Sequence, residues 1–170
     1  MPAHEVWLRG AVPDVPPLLQ PVAHGLLQCR EEVDAVLRGL TPSQLWAQPG
    51  GAASIGYHAR HAAGSLDRLL TYARGEGLSA LQREALAGEG APDLAEGAAA
   101  RLAGTFGAAV ERALAQLRGT AERTLLEPRG VGRAQLPSTV IGLLFHAAEH
   151  AQRHVGQLVT TAKIVRALGR

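Results

Sequence analysis

The sequence predicts an all-α protein, a four-helix bundle, on three observations. Alanine, leucine and arginine, with glutamate and glutamine, supply helix-forming positions along the chain, while valine, isoleucine and aromatic residues are too scattered to supply a sheet. Four long stretches repeat apolar residues at steps of three and four. At 170 residues the chain is long enough for one core and marginal for two, so residues 1–170 read as a single domain.

The first helix is expected from about Pro17 to Gly39, with proline at its entry and glycine at its exit. Leu19, Val22, Leu26, Val33, Val36 and Leu40 form its apolar row, and Cys29 falls on that row as a core thiol. "TPSQLWAQPGGAA" breaks the periodicity and makes an irregular connection over about residues 40–53. Ser54 is a plausible N-cap for the second helix, which runs to about Arg74 on a row of Ile55, Ala59, Ala62, Leu66, Leu69 and Ala73. Residues 75–92 are glycine-rich at both ends, with a short amphipathic piece from Ser79 to Ala87 that reads as one more helix or a lid. The third long helix is expected from about Asp93 to Gly119, burying Leu94, Leu102, Phe106, Ala109, Ala113 and Leu117. After a loop over about residues 120–137, the fourth begins near Ser138 and continues to about Leu168. One apolar row on each of four long helices suits a bundle; a globin-like arrangement needs more and shorter helices.

Charge and composition narrow the function classes. The formal charge is +2, and of seventeen basic residues only Lys163 is lysine. The arginines are dispersed among acidic residues and are not interleaved with aromatics, so no phosphate-tracking stripe or base-stacking platform is visible, which argues against nucleic-acid binding. No stretch reaches the ~18 uninterrupted apolar residues of a membrane span, and "MPAHEVWLRG" lacks the charge and apolar run of a secretory leader. A cytoplasmic location is therefore expected. With Cys29 the only cysteine, no intrachain disulfide forms, which fits a reducing compartment.

The chemistry is concentrated in the histidines. The stretch "FHAAEHAQRHVGQ" places His146, His150 and His154 at four-residue intervals, which on a helix makes a row with about 6 Å between neighbours. His150 and His154 project from the apolar sector of the fourth helix, with His146 and Gln157 at its flank. Adjacent buried imidazoles are hard to explain as packing, because each has two polar nitrogens to satisfy and protonating them together in a low dielectric is costly. A metal ion removes both difficulties. A third ligand is at hand in "SIGYHARH" on the second helix, where His58 and His61 share one flank of the apolar stripe. Periodicity does not choose between them.

The stretches "SIGYHARHAAGSLDRLLTYARGEGLS" and "HAAEHAQRHVGQL" resemble the two signature regions of the DinB-like (DinB/YfiT) superfamily of bacterial four-helix proteins. In that family a serine at the start of the second helix precedes the first metal-binding histidine by seven residues, as Ser54 precedes His61. The other two ligands lie in an H-x-x-x-H-x-G-Q pattern on the last helix, reproduced here by His150, His154, Gly156 and Gln157. The resemblance implies a His61, His150, His154 triad holding a divalent ion, zinc or nickel, in a homodimer. It also implies an activity class, since characterised relatives include S-transferases using bacillithiol and isomerases using mycothiol. His58, His146 and Gln157 then become candidates to orient a substrate or take up its proton.

Other metal chemistries fit less well. "HAAEH" matches the H-x-x-E-H metalloprotease string with Glu149 as base, but after His154 the chain holds no Asp, Glu, His or Cys to complete such a site. A di-iron bundle needs paired Glu-x-x-His motifs, which are lacking, and crowded histidines argue for a small ion over haem. The expected function is a metal-dependent transferase acting on a small-molecule electrophile with a low-molecular-weight thiol. A metal-dependent hydrolase and a non-catalytic, stress-related metal-binding protein are the alternatives.

Overall fold

A computed structural model describes residues 4–169 and is mainly helical. In chain order it contains α1 (Gln20–Leu37), α2 (Pro42–Trp46), α3 (Ile55–Ala73), α4 (Ala80–Ala87), α5 (Ala98–Gly119), strands β1 (Pro128–Val131) and β2 (Leu136–Thr139), and α6 (Val140–Leu168). The long helices α1, α3, α5 and α6 pack into the expected bundle, with α3 against α6 as the most extensive contact. Leu26, Val33, Ile55, Leu66, Phe106, Leu117, Leu144 and Leu158 lie fully inside it. Cys29 is buried among them, and burial pushes its thiol pKa up to about 12. Among the described residues no helix is long and apolar enough to cross a membrane.

Local chemistry sets the boundaries. The Ser54 hydroxyl accepts the Tyr57 N–H at 3.1 Å and starts α3 where the sequence places it. Thr139, not Ser138, caps α6 by accepting the Gly142 N–H at 3.1 Å. Thr41 with Gln44 and Ser79 with Gln82 form reciprocal capping boxes, which is why α2 and α4 exist as ordered short helices inside stretches rich in glycine and proline.

Three expectations need correction. The third long helix begins at Ala98, because Gly97 adopts φ +75° and no right-handed helix continues through that backbone; Leu94 is 66% exposed, not core. Ile164 and Leu168, expected in the apolar sector of the last helix, are 45% and 75% exposed. The connection after α5 carries the β1–β2 hairpin, with Pro128 opposite Thr139 and Val131 opposite Leu136.

That hairpin positions the site. On β1 the Arg129 Nε donates to the Ala73 carbonyl at 2.9 Å, while the first amides of α6 donate to Glu127 and Leu125 through Val140 and Ile141. The C-terminal end of α3 is thereby held beside the N-terminal end of α6, and the two helices run antiparallel. His61 lies as far back from Ala73 as Gln152, midway between His150 and His154, lies forward from Val140. Equal rise along both helices brings the two histidine windows level.

Candidate metal centre

His61, His150 and His154 converge. Each offers one ring nitrogen such that all three atoms lie within 4.8 Å of one another, a grouping that could hold a metal ion. The Nε2 atoms of His61 and His150 face each other at 3.1 Å. Two nitrogens on a tetrahedral ion with bonds of about 2.0–2.1 Å stand roughly 3.3 Å apart, so the spacing needs little adjustment. Rings 61 and 154 have centroids 4.4 Å apart, and rings 150 and 154 are 4.6 Å apart.

Protonation fits the same use. His61 Nδ1 lies 2.6 Å from the Glu89 carboxylate, an acceptor that favours the Nδ1–H tautomer, in which Nε2 keeps its lone pair toward His150. His150 Nδ1, the other nitrogen of that ring, is buried with no hydrogen-bond partner among the described residues. Burial, reinforced by the neighbouring His61, lowers the pKa of His150, and the same causes bring His154 down to about 4. Both are neutral at pH 7, the form in which imidazole binds a metal.

The remaining candidates surround the triad unequally. His58 is buried, its Nδ1 3.0 Å from His154 Nδ1, and desolvation lowers its pKa. It thus packs against His154, with ring centroids 5.3 Å apart. Tyr57 stacks on His61 with centroids 5.5 Å apart and planes 15° from parallel. His146 is exposed, hydrogen-bonded to Glu149 at 3.1 Å, with its ring 5.4 Å from His150 at the outer end of the row. Glu149 also pairs with Arg153, an arrangement that occupies the carboxylate the protease string would need as a base. A groove of about 580 Å³ is lined by His58, Arg153, Gln157, Thr160, Thr161 and Ile164, among others.

The sequence profile of the DinB superfamily matches residues 26–158, a span that takes in every histidine of this cluster. This chain belongs to the DinB superfamily. No match to it is found among curated proteins. Membership agrees with the helical fold and with the histidine grouping, and both signature stretches fall inside the matched span.

One component of the site is missing from the sequence reading. Glu89 is only 5% exposed and bridges His61 to Arg68, whose Nη1 donates to its other oxygen at 2.6 Å. Arg68 itself is 9% exposed on α3. A signal is present in the sequence: an arginine seven residues after His61 shares its helical flank, and a buried guanidinium requires a carboxylate partner.

Proposed function

We propose that this DinB-superfamily protein is a divalent-metal-dependent transferase acting with a low-molecular-weight thiol of the bacillithiol type, in the cytoplasm. In this reading His61, His150 and His154 hold zinc or nickel, both of which suit imidazole nitrogen. The observation that carries the proposal is three converging imidazoles beside a groove that contains His58 and Gln157. A bound ion supplies Lewis acidity that brings the pKa of a coordinated thiol toward neutrality.

The chain's own groups do the rest. Cys29 is buried with its pKa raised, so the nucleophile arrives as a cosubstrate. His58, kept neutral by burial, accepts the thiol proton, and Gln157 orients the incoming molecule from the groove wall. His146, exposed at the end of the row, is a contact for the outer part of a substrate. The thiol sulfur then bonds to the electrophilic carbon as the leaving group departs with its electron pair.

The test is thiol consumption by the metal-loaded protein with a model electrophile. Consumption should exceed that of His154→Ala at least tenfold; equal rates would count against transfer. Turnover of an ester or amide without thiol would favour hydrolysis, and neither activity would favour a non-catalytic metal-binding role.

We also propose a homodimer. Family resemblance supports it, as do Ile164 and Leu168, which lie one turn apart on α6 and expose large apolar surface that the described residues leave uncovered. Light scattering at micromolar concentration should give twice the chain mass of 17.8 kDa, and a monomer mass would contradict the proposal.

A further inference from the structure

Glu89 lies in none of the long helices, yet it is among the most enclosed charged residues of the protein. It belongs to the segment that leaves α4 and returns toward α5, and that segment is fastened at several points. Arg60 Nη1 on α3 donates to the carbonyls of Gly88 at 3.0 Å and Ala91 at 2.5 Å, and more distantly to that of Glu89 at 3.4 Å. The Arg60 guanidinium in turn lies 4.8 Å over the Trp46 ring, whose Nε1 donates to the Asp93 carbonyl at 2.8 Å. A strap over residues 88–93 is thus clamped across α3.

The strap delivers one side chain inward. Room for it exists because residue 64 is glycine: a Cβ there would stand 2.5 Å from Glu89 Oε1 and 2.8 Å from Arg68 Nη1. Arg68 holds Oε1 at 2.6 Å and balances the charge; Oε2 is left to His61 Nδ1, also at 2.6 Å. An anchor for the strap needs only the arginine. The second oxygen does something else, because a carboxylate on Nδ1 fixes both the tautomer and the rotation of a ring whose Nε2 faces the other histidines.

We propose that Glu89 is the positioning residue of the histidine site: by accepting the His61 Nδ1 proton it keeps Nε2 unprotonated and aimed at the position shared with His150 and His154. This rests on the reading of the triad as a metal site. The strap then links metal affinity to the packing of α2 and α4, so a segment remote in sequence from every histidine controls how well the ion is held.

Two measurements on the full chain test it. In metal-free protein, two-bond nitrogen–proton NMR correlations of the imidazoles report the tautomer directly. His61 should carry its proton on Nδ1 in the wild type, and Glu89→Ala should move the population to Nε2. Zinc affinity, from competition with a chromophoric chelator, should fall about 10–100-fold in Glu89→Ala. Glu89→Gln, which keeps size and one acceptor oxygen, should fall less and guards against simple misfolding. Wild-type zinc binding with an unchanged tautomer and unchanged affinity in both variants would overturn the inference. Failure of the wild type itself to bind zinc would instead overturn the metal reading, and the tautomer measurement would still decide whether Glu89 orients His61.

Discussion

Protein purified without a histidine tag should carry a divalent ion, and His154→Ala should lose it, as should His150→Ala. Apparent binding free energies of about 10–16 kcal/mol, spread over four ligands, amount to roughly 3 kcal/mol for each, or about a hundredfold in affinity. An ion held by three imidazoles and solvent therefore does not survive purification once one imidazole is gone. His58→Ala is the informative companion. Its Nδ1 is directed at His154 and not at the shared position, so that variant should retain its metal. Elemental analysis reads these four proteins together with His61→Ala. Equal content in wild type, His150→Ala and His154→Ala would remove the site from consideration, and loss in His58→Ala with retention in His61→Ala would reassign the third ligand.

The histidine windows are legible in the sequence because helical spacing is a local property: residues four apart share a face wherever the helix lies. Level placement of the two windows depends on an antiparallel α3–α6 register, and that register is set by Arg129 on a hairpin whose four-residue strands carry too little alternation, and a proline at residue 137, to be read as strands. Periodicity also assigns a sector without naming its partner. Ile164 and Leu168 share the apolar sector of α6 with Leu158 and Val165, yet no described element covers their side of the helix end. Extending the α5 row backwards puts Leu94 in the core only if the helix passes through Gly97, where the backbone turns left-handed. Glu89 is the deepest omission. A glutamate between glycines defaults to a solvated loop, and only the return of the chain after α4 places it against Arg68 and His61.

Gly56→Ala should destabilise the protein by about 1–2 kcal/mol, even though alanine is the better helix former by ~0.5–1 kcal/mol. Gly56 is buried in the first turn of α3, and a Cβ there would lie 2.8 Å from Cε2 and Cζ2 of Trp46. Retreat of the indole breaks contacts it already makes: its Nε1 is bonded to the Asp93 carbonyl and Arg60 covers its face. Either the start of α3 moves away from α2, or Trp46 gives up both contacts and the strap over residues 88–93 loosens. The first route lowers stability alone; the second also frees Glu89 from His61. Thermal melting should fall by roughly 2–8 °C. Gly104→Ala provides the opposite sign, because that glycine sits exposed in α5 with nothing within 4 Å of where a Cβ would stand, and it should gain about 0.4–1 kcal/mol. A Gly56→Ala protein as stable as Gly104→Ala would show that the Trp46 clamp yields easily. Zinc affinity measured on the two variants then separates the routes: a drop confined to Gly56→Ala means the clamp on the strap, and through it the orientation of His61, has been released.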